Sequence, residues 1–406
     1  MRAGVWARAR PARLAPALCL LVWASPLAAV TPATLIGPDL DPRPVSITSL
    51  DDGTLNYFDE QRTLRNTAVN QFVQLRSVGG EDTLSPMSPP GVWLTDGQRF
   101  TGDWVGPTPD GAALRWRHPL IGTVVIPLEE VARVAWIAGD GPPAPLDAPT
   151  QDTLTLTNGD TLLGFVSSLT EHGVALLPEV GGAPVTIPFG RIASMSLANP
   201  AGLLNEPYHR VTLSDGTRVW ADDLRITDDR MYCRVIPPGS PAMQIELPVA
   251  ELARIDFWAG GLRLIDLAEL PRRTLEEARV FGLPVPVRVT GRSIRMHAPG
   301  SVAFELPAGS ERFAGVAELD TRDAPPGIAV WADFQVVVSS KNPQDQRFRV
   351  TGHKRIVRIN IPVAGPGLTI RLDPGMNGPI LDRLLLRDAV ILVRLPGAEP
   401  SGDPGR

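Results

Sequence analysis

The chain has 406 residues, 43% hydrophobic and 20% charged, which is enough apolar material for more than one folded domain. Its net charge of −5 argues against a nucleic-acid-binding protein, because such proteins need a basic surface. Two cysteines exclude a disulfide framework, and 42 prolines with 38 glycines favour short strands and turns over long helices.

The N-terminus has the three regions of a secretory signal peptide. Arginines precede an apolar run from Leu14 to Trp23, and small residues follow up to Ala29. The apolar run is too short to span a bilayer, and no later run is long enough. We therefore predict a signal peptide over residues 1–29 and an exported protein without a membrane span. Its location would be periplasmic, cell-surface or extracellular.

Three segments farther along the chain share one pattern. An Asp-Gly or Asn-Gly dipeptide, which favours a tight hairpin turn, recurs at 96–97, 158–159 and 215–216. Alternating apolar residues surround each dipeptide, and an Ile-Pro or Leu-Pro step then ends a strand. The pattern predicts three small antiparallel β units, whose bounds are residues 91–140, 150–199 and 207–258. We interpret residues 30–90 as an N-terminal segment that holds a degenerate copy of this unit.

The pattern changes after residue 258. Residues 265–270 and 274–279 look locally helical, and short apolar strands separated by Gly and Pro follow. Such a series of strands predicts a jelly-roll β-sandwich over residues 259–396, followed by a disordered tail at 397–406. The predicted fold class is therefore all-β, with tandem small antiparallel β units followed by this sandwich.

Several segments of the last third match a known family in order, namely Leu264–Pro271, Arg295–Leu306, Glu311–Asp320, Leu368–Leu372 and Asp382–Ala389. Through these segments the region resembles the NPCBM/NEW2 domain, a carbohydrate-binding module often found beside glycoside hydrolases. The resemblance implies a galactose-binding-like β-sandwich that recognises sugars. In this chain Leu386 stands where the family commonly has a Trp.

Three residues of the sandwich are candidate sugar ligands. His297 lies on a family-like strand, where its ring can hydrogen-bond a sugar hydroxyl. The alternative is a structural histidine that bonds a backbone carbonyl. Trp331 and Asp333 share one face of a predicted strand whose other face holds core residues. One interpretation is that these two side chains contact a sugar; the other is that they cover the surface of the sandwich.

Three carboxylates fall on family-like positions, namely Asp320, Asp382 and Asp388. One interpretation is that they hold a structural Ca²⁺, because Ca²⁺ prefers oxygen ligands. The other is that they cap turns and accept hydrogen bonds from backbone amides. The sequence predicts no firm metal site and no other cofactor.

Motifs of catalysis are absent from the sequence, including His-Glu-x-x-His and Gly-x-Ser-x-Gly, so we predict that the chain is not an enzyme. The leading hypothesis is an exported, non-catalytic protein that binds a glycan or a cell-envelope component. The alternative is a scaffold for a protein partner without sugar binding, which Leu386 favours. A glycoside hydrolase ranks third, because the repeats leave little length for a catalytic domain.

Overall fold

A computed structural model describes residues 31–77, 90–137, 151–178, 181–200, 208–290, 292–322, 332–340, 345–376, 378 and 382–395. The predicted signal peptide, Trp331 and the predicted tail lie outside these residues. Within the described ranges the regular elements are strands and five single-turn 3-10 helices, none long and apolar enough to cross a membrane. The predicted all-β fold class is confirmed.

The first part of the chain contains four β units of similar topology. The first unit comprises β1 (Thr31–Ile36), β2 (Pro42–Asp51), β3 (Thr54–Phe58), β4 (Leu64–Ala68) and β5 (Gln74–Ser77). The second unit comprises β6 (Gly91–Leu94), β7 (Arg99–Thr101), β8 (Asp103–Pro107), β9 (Ala113–His118), β10 (Gly122–Pro127) and β11 (Val131–Ala135).

The third and fourth units follow with the same order of elements. The third comprises β12 (Asp152–Leu156), β13 (Thr161–Leu169), β14 (Gly173–Pro178), β15 (Val185–Pro188) and β16 (Ile192–Ser196). The fourth comprises β17 (His209–Leu213), β18 (Arg218–Thr227), β19 (Arg230–Val235), β20 (Met243–Pro248) and β21 (Leu252–Asp256). In every unit a 3-10 turn precedes the last strand, which pairs antiparallel with the first strand.

Local sequence signals explain this repeated topology. The glycines of the Asp-Gly and Asn-Gly dipeptides, Gly97, Gly159 and Gly216, have φ angles of 87°, 90° and 87°. This left-handed conformation is easily adopted by glycine and reverses the chain between the first two strands. The strand before each 3-10 turn ends in a proline in the last three units, because proline cannot donate to the sheet.

The units join into one continuous sheet, apart from β8, β9 and β10, which form a separate three-stranded sheet. Strand β5 pairs with β21, β11 pairs with β16, and the bridge between Arg218 and Arg99 links β18 to β7. One face of this sheet packs into a hydrophobic core that all four units share. Its fully buried side chains include Leu75, Ile255, Val211, Val219, Val92, Val134, Met195 and Leu154.

The opposite face of this sheet carries a row of cross-strand neighbours. Residues directly opposite each other in an antiparallel pair point to the same side of the sheet, so the row can be followed from strand to strand. We call it the arginine row; it comprises Arg76, Arg254, Thr212, Arg218, Arg99, Trp93, Arg133 and Ser196.

The last part of the chain forms a β-sandwich, and this prediction is also confirmed. Its strands are β22 (Leu262–Asp266), β23 (Arg272–Glu276), β24 (Ala278–Val280), β25 (Leu283–Val285), β26 (Arg288–Thr290), β27 (Ser293–His297), β28 (Gly300–Glu305), β29 (Ser310–Leu319), β30 (Asp333–Ser340), β31 (Gln346–Thr351), β32 (Ile356–Pro362), β33 (Gly367–Pro374) and β34 (Arg383–Arg394). One sheet has the order β26-β27-β34-β29-β32, with β22 beside β34, and the other has the order β23-β28-β33-β30-β31.

The two sheets enclose a separate core. The predicted core face of β30 is confirmed, because Phe334, Val336 and Val338 are at most 1% exposed. The predicted helix at 274–279 is wrong, and of the one predicted at 265–270 only the 3-10 turn Leu267–Glu269 is helical. Strand pairing determines the structure there: Ile265 lies opposite Ile391 of β34, and Arg273 lies opposite Ala303 of β28. Tertiary pairing overrides weak local helix propensity.

A buried ion network fixes the sandwich to the fourth unit. Asp266, at the end of β22, is only 1% exposed. Its carboxylate lies 2.8 Å from Nε of Arg292, 3.3 Å from Nη2 of Arg254 and 3.4 Å from Nη2 of Arg218. Nη2 of Arg210 is 3.9 Å away. Three of these arginines belong to the fourth unit, so the charge of Asp266 joins the two parts of the protein.

Candidate functional site

One end of the sandwich brings several chain segments together. His297 ends β27, Asp333 begins β30, Gly375 follows β33, and Asp382 precedes β34. Arg349 of β31 contacts Asp333 across the sheet. We call these five residues the His297 edge.

Asp382 holds the backbone of this edge in place. Its carboxylate accepts hydrogen bonds from the backbone N–H of Asp333 at 3.1 Å and of Gly375 at 3.2 Å. Its carbonyl oxygen accepts a third bond, from the N–H of Ala298 at 2.9 Å. The side chain is 1% exposed, and burial raises the pKa of this carboxyl. Asp382 therefore ties the ends of three strands to one another.

The two ring nitrogens of His297 have different surroundings. Nδ1 lies 2.9 Å from the carbonyl oxygen of Ala298. Because a carbonyl oxygen only accepts, Nδ1 carries the proton, and Nε2 of the neutral ring is an acceptor. Nε2 is buried, and no described group donates to it. The bond between Nδ1 and the carbonyl oxygen of Ala298 is the one expected of a structural histidine. Nε2, in contrast, is available to accept a hydrogen bond from a hydroxyl group.

Asp333 and Arg349 form a fixed ion pair at the rim of this edge. Nε and Nη2 of Arg349 lie 2.8 Å and 2.7 Å from the two carboxylate oxygens. The hydrogen bonds from Arg349 lower the pKa of Asp333, so this carboxyl is ionised at neutral pH. The Arg349 side chain is 61% exposed, and the side chain of Met376 beside Gly375 is 92% exposed. The rim thus presents an oriented polar pair and an apolar surface.

The other predicted site residues are placed differently. Trp331 lies outside the described residues, so the face of the strand that it occupies stays a prediction. The backbone N–H of Asp320 bonds the carbonyl of Arg383, next to Asp382, and its carboxylate lies 3.4 Å from Nε of Arg322.

Asp388 lies apart from the His297 edge, at the contact with the first unit. Its carboxylate is 3.1 Å from Nη1 of Arg76 and 3.6 Å from Nη1 of Arg292. In the part of the chain that the structure describes, no group of three or more His, Cys, Asp or Glu side chains is arranged to hold a metal ion. The three predicted calcium carboxylates thus contact arginines or backbone amides, and the calcium hypothesis stays a prediction.

Two residues of the His297 edge were not predicted from the sequence. Arg349 was missed because β31 itself was missed, and its contact with Asp333 is diagonal, since Arg349 lies opposite Gln335. Gly375 carries no motif. A Cβ atom at this position would lie 1.5 Å from the carbonyl oxygen of Asp333, so only glycine fits there.

Comparisons with known proteins give only distant structural similarity. No family model and no curated protein matches the chain. The CBM51 module of GH95 from Clostridium perfringens, solved with methyl-galactose, is 20% identical; the match covers 29% of this chain and 79% of that chain, with a TM-score of 0.22. The tandem CBM51 modules of the family 98 glycoside hydrolase Sp3GH98 from Streptococcus pneumoniae are 9% identical, with 60% and 88% covered and a TM-score of 0.22.

An exo-β-1,3-galactanase from Phanerochaete chrysosporium, solved with β-1,3-galactotriose, is 9% identical; the match covers 90% of this chain and 68% of that chain, with a TM-score of 0.18. These identities and scores are too low to transfer a ligand or an activity to this chain.

Proposed function

We propose that this chain is an exported, non-catalytic protein whose sandwich binds a glycan or a cell-envelope carbohydrate at the His297 edge. The observation that carries the proposal is the buried Nε2 of His297. A buried polar atom without a partner costs about 1–3 kcal/mol, and such atoms are rare in folded proteins. A sugar hydroxyl is a donor of the right kind for this nitrogen.

The surroundings of His297 suit sugar recognition. Sugar sites combine a few oriented polar groups with an apolar surface. Asp333 and Arg349 supply an acceptor and donors in fixed positions, and Met376 supplies exposed apolar surface. The ordered resemblance of this region to the NPCBM/NEW2 domain supports the same ligand class.

The contacts of the carboxylates support a non-catalytic role. Glycoside hydrolysis needs one carboxyl group as acid and a second as base or nucleophile. Asp333 is held by Arg349, and Asp382 is committed to two backbone N–H groups. Both carboxylates therefore have positional roles at this edge. Export is supported by the signal-like pattern of residues 1–29.

Replacing His297 with alanine is expected to weaken glycan binding about 2- to 13-fold, because one hydrogen bond contributes about 0.5–1.5 kcal/mol. The whole mature chain would be screened against a glycan panel with and without Ca²⁺, and the best ligand titrated by calorimetry. His172→Ala is the matched control, since His172 is exposed in the third unit. The Trp331→Ala variant, titrated in the same way, tests the predicted aromatic contact. Loss of glycan binding when a chelator removes Ca²⁺ would support the calcium hypothesis.

Equal affinity of the wild type and the His297→Ala variant would exclude His297 as a ligand. If the folded wild type binds no glycan on the panel, the sugar-binding proposal fails. The scaffold hypothesis would then be preferred, and the next search would be for a protein partner.

A further inference from the structure

The two ends of the arginine row differ in their charge partners. At the end that the sandwich covers, each arginine has a carboxylate within 4 Å. Arg76 lies 3.1 Å from Asp388, while Arg254 and Arg218 lie 3.3 Å and 3.4 Å from Asp266. These arginines are neutralised by the chain itself.

At the other end of the row, Arg99 and Arg133 lie on either side of Trp93. Arg99 of β7 and Arg133 of β11 are the cross-strand neighbours of Trp93 in β6. Their guanidinium carbons are 4.7 Å and 5.5 Å from the centre of the indole ring. Neither arginine has an ion pair within the described ranges. Two nitrogens of each, Nε and Nη2 of Arg99 and Nε and Nη1 of Arg133, are buried without an acceptor.

The carboxylate of Asp215, whose charge acts on Arg99, already has several hydrogen-bond partners. Asp215 accepts hydrogen bonds from the hydroxyl of Thr101 at 2.5 Å and the backbone N–H of Thr217 at 2.8 Å. It also accepts a bond from the hydroxyl of Thr217 at 3.2 Å and lies 2.8 Å from Nε2 of His118. Burial, reinforced by the charge of Arg218, lowers the pKa of Arg99 to about 10. Arg99 is thus a charged, poorly compensated group at neutral pH.

Stacking on Trp93 offsets only part of this cost. A cation over an indole ring gains about 0.5–2 kcal/mol, but it leaves the N–H donors unsatisfied. A guanidinium group presents paired N–H donors whose geometry matches the two oxygens of a carboxylate or sulfate. In the same row, the carboxylate of Asp266 from the sandwich lies 3.3 Å from Nη2 of Arg254 and 3.4 Å from Nη2 of Arg218.

We propose that Arg99 and Arg133, held by Trp93, bind carboxylate or sulfate groups of an acidic polysaccharide. Arg99 and Arg133 are two strands apart, as Arg218 and Arg254 are, and a single carboxylate, that of Asp266, lies within 3.4 Å of both Arg218 and Arg254. One carboxylate or sulfate group of such a polysaccharide can therefore lie between Arg99 and Arg133 in the same way. This site is separate from the His297 edge and does not depend on it.

The test uses the whole mature chain. Thermal unfolding would be followed in sodium sulfate and in sodium chloride of equal ionic strength. Calorimetry would compare oligogalacturonate with a neutral galactan oligosaccharide. We expect sulfate to raise the midpoint of unfolding and oligogalacturonate to bind, with affinity at least tenfold lower in Arg99→Gln and in Arg133→Gln. Arg347→Gln, at an exposed arginine of β31, is the control and should bind as the wild type does.

Arg99→Met separates binding from folding. Methionine keeps an apolar stem on Trp93 and removes the unpaired charge, so this variant should fold in chloride with a midpoint no lower than the wild type. Its midpoint should rise less in sulfate than that of the wild type, because only the general stabilisation of folded proteins by sulfate remains. The proposal is overturned if the arginine variants respond to sulfate and oligogalacturonate as the wild type does. A sulfate response without oligogalacturonate binding would overturn the polysaccharide assignment.

Discussion

Replacing Asp266 with asparagine is expected to lower the free energy of unfolding by about 3–5 kcal/mol, the usual cost of removing one partner from a buried ion pair. Asp266 is 1% exposed, and the guanidinium groups of Arg292, Arg254 and Arg218 converge on its carboxylate. Asparagine keeps the shape and removes the charge, so the buried arginines would repel one another. Urea-induced unfolding of both proteins at pH 7 would measure the difference.

The effect of Asp266 depends on pH in a predictable direction. Although burial opposes ionisation, the surrounding arginines, with Arg254 first, hold the pKa of Asp266 well below its ordinary value of 3.8. The unfolded state therefore binds a proton more readily than the folded state, and stability falls as the pH falls below about 4. The asparagine variant lacks this contribution, so the stability gap between the two proteins should narrow in acid.

A surface ion pair is the control for this prediction. Asp373 contacts Arg371 at 2.7 Å, but both side chains are at least 35% exposed. Exposed pairs contribute about 0–1 kcal/mol, so Asp373→Asn should unfold nearly as the wild type does. If Asp266→Asn were equally harmless, the buried network would not join the sandwich to the fourth unit.

This network also predicts that the last third of the chain is not a detachable module. Arg254 and Asp256 end the fourth unit, whereas Asp266 and Arg292 belong to the sandwich. Arg254 contacts Asp256 at 3.3 Å and Asp266 at 3.3 Å, so a cut near residue 258 separates charges that are paired in the fold. For this reason the whole mature chain is used in the binding experiments.

The sequence was most informative where structure depends on local signals. The Asp-Gly and Asn-Gly turns and the strand-ending prolines predicted hairpins because both act within a few residues. The pairing between units was not predictable, since the contact of Arg218 with Arg99 joins residues 119 positions apart. Apart from the 3-10 turn Leu267–Glu269, residues 265–279 form strands and not the predicted helices for the same reason: distant strands supply the pairing partners.

The candidate sites were also predictable from the sequence only in part. His297 and Asp382 were identified from a resemblance in sequence order and Asp333 from the alternation of side chains on its strand, and the structure brings the three to one edge. The arginine row was not visible in the sequence, because its members lie on strands of different units. Side chains that alternate on single strands reveal which face they share, but only the register between strands reveals which charges meet.

Replacing Gly375 with alanine should both destabilise the protein and abolish ligand binding at the His297 edge. The new Cβ would lie 1.5 Å from the carbonyl oxygen of Asp333, so the backbone has to move. That movement breaks the bond from the Gly375 N–H to Asp382 and leaves a buried carboxylate short of a donor. Overpacking and the lost donor together should cost about 2–5 kcal/mol.

Gly190→Ala is the matched control for this substitution. Gly190 is exposed in a 3-10 turn of the third unit, and a Cβ there meets no atom within 4 Å. Thermal unfolding and glycan titration of both variants would separate a specific effect from a general effect of adding a methyl group. If Gly375→Ala kept wild-type stability and affinity, Asp382 would not be the group that positions Asp333 and His297. If it stayed folded but bound at least tenfold more weakly, the geometry of this edge would be what determines ligand binding.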